Sequence, residues 1–597
     1  MNENQCEEMR DIHMHTEWSL TKLYTSYKDS NFISDFNKTD ELVKELEGFV
    51  ANLGQKTENE TLLEAVNILE ALSETFEKLI VYASLRQSAD TGDVESASYL
   101  GRLNEKVSMT TKSMTALKKY VAGICDLDRV LSSDPILKEY EYYFTCMKED
   151  FRYALSDEVE EVIAKFNISG GLAWSDLQSN LTSTVKAVYN GEEVTLSTIR
   201  NLASDKEEAV RKAAYEAELA CYDKIKDSVA FALNSIKLQV INECKLRGFD
   251  SALSETLHGA RMKRETLDAL MDAIKEYLPA FQEYLKVKAR KLGHEHGLPW
   301  YDLFAPMGNN DKKYTIEEAK DYLVTLFHGF SKDLADMVTR AFEEEWIDFY
   351  PREGKVGGAF CCDIHAIKES RILTNFDGST SAVVTLAHEL GHAYHNLNIA
   401  GNRPLNTAYS MPVAETASTF NENIIMNAAI ANAEDKELKL SLVESQLQDV
   451  TQIILDIYSR YLFETAVFEH RSENFMFSDQ LCDMMLKAQK EAYGDGLDDN
   501  FLHPYMWVCK GHYYSSEVSF YNFPYAFGGL FARGLYAKYQ QLGEAFVPTY
   551  KKLLNATTVM SVEEVAKIAD IDLTDKEFWK MGLQSYVDQI ELFKELV

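Results

Sequence analysis

The stretch Thr385-Leu386-Ala387-His388-Glu389-Leu390-Gly391-His392-Ala393-Tyr394-His395 constrains this chain more than any other. It contains His-Glu-x-x-His. On a helix, residues i and i+4 lie one turn apart on the same face, so His388 and His392 can share one metal ion. The flanks support a helix. Ser379, Thr380 and Ser381 offer capping side chains upstream, and Val383, Val384 and Leu386 supply apolar surface. Histidine is scarce, 13 in 597 residues. Chance would produce this pattern somewhere in such a chain with a probability of roughly 0.03, so the motif reads as a real metal site.

Neutral imidazole nitrogens suit Zn²⁺. Glu389 follows the first ligand and can sit beside the coordination position where water binds. A carboxylate there can take the proton of metal-bound water as it attacks a carbonyl. A third protein ligand is needed. Metzincins continue with a glycine and a third histidine, but those positions here are His395 and Asn398, which excludes that class. Other zincins place a glutamate about 19 or 20 residues after the second histidine; Met411 and Pro412 stand there and cannot serve. Glu415 is the only acidic residue between Glu389 and Glu422, in a helical run just after Pro412, and is read as the third ligand. Glu422 lies two turns further along the same face. It is either a hydrogen-bond acceptor for a liganding histidine or a surface carboxylate. His395 either lines the cleft or packs behind it.

The rest of the chain reads as mostly helical. Only 10 of its 597 residues are proline, which favours long uninterrupted helices. Leu62, Leu63, Val66, Leu69, Leu72, Phe76, Leu79 and Ile80 fall mostly at spacings of three and four, one apolar stripe on a helix. A break follows at Ser169-Gly170-Gly171. Asn190-Gly191, between the β-formers Thr182–Val188 and Glu193–Leu196, signals a tight hairpin. Helical patterning resumes near Thr198, which sets a boundary near residue 200. A second β-like stretch runs from Gly354 to Gly378, and its glycines allow either close backbone approach to a ligand strand or a simple bend.

Composition narrows the function. The net charge is −34, from 95 acidic and 61 basic residues. Such a surface repels phosphate backbones and anionic membranes, so neither nucleic acid nor a membrane is the expected partner. The nine cysteines show no CxxC pair and read as reduced thiols. The polar, acidic N-terminus lacks a secretion signal, and no apolar run is long enough to span a bilayer. A cytoplasmic protein is expected.

Further motifs carry a family resemblance. They are Trp18-Ser19-Leu20 with Leu23-Tyr24, Leu155-Ser156, Trp174-Ser175-Asp176-Leu177, and Arg211 with Ala214 and Tyr215. Together with TLAHELGHAYH, AETASTFNE and the aromatic run HYYSSEVSFYNFPYAFG from His512, they make the chain resemble the M3 family of zinc metallopeptidases, and the oligoendopeptidase F group within it, over nearly its full length. The resemblance implies a mostly α fold: a helical ellipsoid of two regions around a deep channel, with a small β-sheet near the zinc site. Residues 1–200 would form an N-terminal helical region, with its core about 115–185, and 201–597 the catalytic region. It implies one Zn²⁺ per chain, held by His388, His392 and Glu415, with Glu389 as general base. His512 and Tyr525 would stabilise the oxyanion or hold the substrate backbone, and Tyr514 and Tyr521 would touch substrate. Phe523 stands where some members carry another tyrosine. The stretch Gly354–Phe360, including Gly357 and Gly358, resembles a family strand that pairs with the peptide.

The expected activity is internal cleavage of short unfolded oligopeptides. A related zinc carboxypeptidase or peptidyl-dipeptidase is the alternative within hydrolases. A non-catalytic helical peptide-binding protein is the alternative outside them, and an intact Glu389 argues against it.

Overall fold

The apolar spacing of the N-terminal helices builds a core of its own. In the computed structural model, which describes residues 15–597, helices α1 (Ser30–Ala51) and α2 (Glu58–Ala89) pack on each other. Leu62, Val66, Leu69, Leu72, Phe76 and Leu79 form the buried face of α2, as their spacing predicts. A capping box of Thr57 and Glu60 starts that helix and satisfies donors its first turn leaves free. Tyr24 and Tyr27 meet Phe32 and Tyr82 edge to face, with centroids 5.0–5.4 Å apart. This apolar cluster runs from Leu23 to Met147 and takes in one distant residue, Ile364. The reading of the N-terminus as free of a secretion signal rests largely on residues 1–14, outside the described residues.

A larger cluster runs from Ala187 to Phe593. Helices α3 (Asp157–Ser169) and α4 (Gly171–Thr184) lie between the two cores in sequence. In space α4 sides with the larger one: Trp174 and Leu181 pack on it, and Gln178 Nε2 donates to the Val508 carbonyl at 2.8 Å. The buried cores therefore divide after Met147, ahead of residue 200. Asn190 and Gly191, at φ 53° and 85°, turn β1 (Lys186–Tyr189) into β2 (Glu192–Thr195), antiparallel as expected. The first strand starts at Lys186 rather than Thr182. Thr182 and Thr184 are instead among the last residues of α4, where their hydroxyls bond back to the carbonyls of Gln178 and Asn180. Helix α5 (Glu208–Arg247) then runs for 40 residues.

The second sheet joins the two cores. Its strands β3 (Ile347–Asp348), β4 (Phe360–Ile364) and β5 (Glu369–Leu373) lie in the order β3-β5-β4, with β3 parallel and β4 antiparallel to β5. Alternation along β4 sends Phe360, Cys362 and Ile364 to the smaller core and leaves Cys361 and Asp363 on the other face. Ile372 of β5 belongs to the larger core. The regular strand begins only at Phe360. Gly357 and Gly358 lie in a bend before it, where Asn375 Nδ2 donates to the carbonyls of Val356 and Gly358 at 3.1 and 2.8 Å. The chain is mostly helical with two small sheets. Among the described residues, no helix is long and apolar enough to cross a membrane, and eight cysteines are free thiols.

Candidate metal centre

Helix α6 (Thr380–Ile399) carries the two histidines at the seam of the cores. Ser379 caps it, its side chain accepting from the Ala382 amide at 3.1 Å. Its partner comes in two pieces: α7 (Met411–Ala414) and α8 (Thr416–Asn432), with Glu415 at the joint. Gly391 lets α6 and α8 touch. A Cβ there would stand 2.5 Å from both the Ala417 carbonyl oxygen and Ser418 Cα. The close crossing brings Glu415 and Glu422 to His388.

Three ligand atoms converge. His388 Nε2 and His392 Nε2 are 3.2 Å apart, and Glu415 Oε2 is 3.3 Å from the first and 3.4 Å from the second. Ligands held about 2.0–2.1 Å from a tetrahedral zinc stand about 3.3–3.4 Å from one another. The triangle thus fits one face of such a site. Glu422 Oε1 accepts from His388 Nδ1 at 2.7 Å, which turns the Nε2 lone pair toward the centre. Two ring nitrogens and a carboxylate directed at one point call for a positive charge between them, a metal ion or, in its absence, a proton on a ring.

The electrostatics say the same. Burial alone would lower the His388 imidazolium, but Glu415 and Glu422 push it up to about 10. Burial would raise the Glu415 acid, yet hydrogen bonds from His388 and His392 hold it well below the usual carboxylate range. Glu389 is raised by burial and by the negative Glu415 and Glu422, against the pull of both histidines.

Two cavities flank the centre and share His388 and Glu415. The smaller, about 330 Å³, is lined by Glu389, His392, Tyr409, Cys361 and Asp363. Burial and the neighbouring Glu77 push the Asp363 acid up to about 7. The larger, about 420 Å³, lies against α9 (Lys436–Thr451) and α10 (Phe523–Leu542) and is lined by Glu422, Asp449 and Tyr525. Gly528 of α10 packs on Glu415; a Cβ there would stand 2.9 Å from the Glu415 Cβ.

The aromatic run divides by burial. Tyr525 reaches the larger cavity, and burial raises its phenol, so it stays protonated and able to donate. Its hydroxyl donates to Tyr521 Oη at 3.3 Å, and the Tyr521 ring stacks on His512 with centroids 6.0 Å apart. His512 lines neither flanking cavity. Arg460 donates to Asn522 Oδ1 at 3.1 Å, so Asn522 Nδ2 donates to His512 Nε2 at 2.8 Å and leaves the proton on Nδ1. Burial, with Arg460 and Lys510 nearby, pushes His512 down to about 3, so it is neutral. Tyr514 does not reach substrate space: it is fully buried, and its hydroxyl donates to the Trp507 carbonyl at 2.9 Å. His395 packs behind the smaller cavity, stacked on Tyr409 at 4.3 Å and bonded to Thr557 Oγ1 at 2.8 Å.

Sequence reasoning passed over Asp363, Asp449, Tyr409, Asn522 and Arg460. Strand alternation could have marked Asp363. Nothing local distinguishes the others.

Comparisons with known proteins agree with the geometry. The family model described as peptidase family M3 matches residues 201–585, and the model described as Oligopeptidase F matches residues 126–186. The chain is 24% identical to group B oligopeptidase PepB of Streptococcus agalactiae, over 99% of each chain. It is 23% identical to oligopeptidase PepF of Bacillus subtilis, over 100% of this chain and 89% of that one. Its fold is similar to that of oligoendopeptidase-F from Enterococcus faecium, with a TM-score of 0.69 and 21% identity over 95% and 98% of the two chains. A Chlamydophila abortus protein superimposes with a TM-score of 0.82 and 20% identity over 98% of both. Since the first model spans well over half the chain and encloses both histidines and Glu415, the chain belongs to peptidase family M3, and to the oligopeptidase F group within it.

Proposed function

We propose that this peptidase is a zinc-dependent oligoendopeptidase, hydrolysing internal bonds of short unfolded peptides. The near-equilateral triangle of His388, His392 and Glu415 carries the reading, because its 3.2–3.4 Å edges suit one tetrahedral zinc per chain. Zinc, when bound there, polarises the scissile carbonyl and acidifies the attacking water. Glu389, raised by burial, takes the water proton and passes it to the leaving amine. Glu422 holds the His388 ring by Nδ1, which keeps the ligand lone pair aimed. Tyr525 turns its hydroxyl proton from Tyr521 to the substrate oxygen that gains charge and hydrogen-bonds it, and Tyr521 then donates to the Tyr525 oxygen. His512 joins them if the aromatic segment moves toward the centre when substrate binds. The outer edge of β4 offers a row of backbone groups to an extended peptide, with the Gly357-Gly358 bend leaving room at its start. Residues 201–597 form the catalytic region and 1–200 the N-terminal one; free thiols suit the cytoplasm.

The test is digestion of a mid-length peptide blocked at both ends, with fragments read by mass. Internal cleavage that stops with chelator and returns with zinc is expected. Cleavage only when the C-terminus is free would favour a carboxypeptidase or peptidyl-dipeptidase instead.

A further inference from the structure

The 420 Å³ cavity flanking the metal centre carries three carboxylates among neutral hydroxyl and amide side chains. It opens from His388, Glu415 and Tyr525, and its lining includes no lysine or arginine. Of its three carboxylates, Glu415 is directed at the histidines and Glu422 at His388 Nδ1. Asp449, from α9, has no such partner among the described residues. The protein packed around it and the nearby Glu422 and Glu444 push its acid up to about 7, although the side chain itself stays exposed, and no cation or hydrogen bond offsets them. The cations around the cavity are spent elsewhere. Arg533 stands behind the wall, bonded to Asn423 and Ser585, and Lys288 is paired with Glu444. A second orphan lies on the same wall: Gln446, 7% exposed, has a side-chain carbonyl oxygen without a hydrogen-bond partner.

Both orphans are acceptors, so the occupant that satisfies them must donate. Asp449 is exposed, so its carboxylate is open to an incoming group, and three carboxylates facing one cavity without a cation repel one another until a positive charge joins them. The same lining includes apolar surface from Val384, Leu442, Val450 and Ile453. That suits a methylene stem carrying its charge at the tip.

We propose that this cavity is a subsite for a lysine or arginine side chain of the substrate, flanking the scissile bond and anchored by Asp449. The assignment rests on the peptidase reading above and names the substrate class that reading leaves open. It also gives the acidic balance of the chain a local use, since a cationic peptide meets its counter-charge beside the scissile bond.

Peptides acetylated at the N-terminus and amidated at the C-terminus, with lysine, norleucine or glutamate at each position near the cleaved bond, test it. At one position, lysine should raise kcat/KM at least about tenfold over norleucine, with glutamate lowest. In Asp449→Asn the lysine-to-norleucine ratio should fall to within about threefold, and Asp449→Lys should turn the preference to glutamate. Both peptides are read on one preparation, so loss of folded protein cancels from the ratio. Binding of the same labelled peptides to Glu389→Gln protein, read by fluorescence anisotropy, should show the same ratio without turnover. Equal lysine and norleucine values in the wild type, or an unchanged ratio in Asp449→Asn, overturns the subsite. So does a gain that follows a free α-amino group and not the side chain. If the zinc-loaded wild type cleaves none of the peptides, the peptidase reading itself falls; if it cleaves all alike, only the subsite does.

Discussion

His388 Nδ1 stands 2.7 Å from Glu422 Oε1, a contact between facing helices that fixes which imidazole nitrogen can bind metal. Without that acceptor the ring can rotate or hold its proton on Nε2, and either change removes a ligand. Glu422→Ala is therefore expected to weaken zinc binding by about 10–100-fold, measured by competition with a chromophoric chelator. Glu422→Gln keeps an acceptor oxygen and should fall between the two. An unchanged zinc affinity in both variants would make Glu422 a bystander.

Glu389 lies beside the ligands but contributes no edge to their triangle. Glu389→Gln is near-isosteric and removes only the basic oxygen. Zinc content by elemental analysis should stay at one per chain, while kcat falls by about 10²–10⁴-fold. Cleavage at the wild-type rate would show that another group takes the proton.

Gly391 sets the spacing of the two helices that carry the site. In Gly391→Ala a methyl group enters where the Ala417 carbonyl and Ser418 Cα already stand 2.5 Å away. The backbone on either side cannot yield as a flexible side chain would, so the helices must part. Overpacking of this kind costs about 1–3 kcal/mol, and here it also draws Glu415 from the histidines. A lower melting temperature together with weaker zinc retention is expected. A variant that melts and binds zinc as the wild type does would mean that the helices slide past one another without cost.

What the sequence made legible follows from the range of each interaction. His388, His392 and Glu389 are fixed by the period of a single helix, and Glu415 could be picked because no other carboxylate lies between Glu389 and Glu422. The structure brings His388, His392 and Glu415 to one point, with Glu389 beside it. Tyr514 and Tyr525 show where that reasoning ends. They belong to one aromatic run of similar composition, yet Tyr514 turns inward to the Trp507 carbonyl while Tyr525 opens on a cavity. Burial there is decided by helices hundreds of residues away, so no local pattern records it. Asp449 is hidden for a different reason: it is one of 95 acidic residues, and only a wall without cations makes it unusual. The boundary near residue 200 rests on a visible β-turn, whereas the buried cores part earlier, because Trp174 and Leu181 pack α4 forward onto the larger core.

His395 gives the pH dependence a defined sign. It is fully buried against Tyr409 and Thr557, and burial, with His392 adding to it, lowers its pKa to about 3. An unfolded chain binds a proton there near pH 6.5. Between those values the unfolded state holds one more proton than the folded state, so stability is complete above about pH 6.5 and is lost as pH falls toward 3. The slope is at most about 1.4 kcal/mol per pH unit from this residue. His395→Gln removes the titration and keeps a polar side chain for Thr557. Its melting temperature should start below that of the wild type at pH 7, and the gap should narrow steadily as pH is lowered to 5. The remaining groups are common to both proteins, so the difference isolates His395. Parallel melting curves across that range would mean that His395 takes up its proton in the folded state after all, with Thr557 and Tyr409 rearranging to admit it.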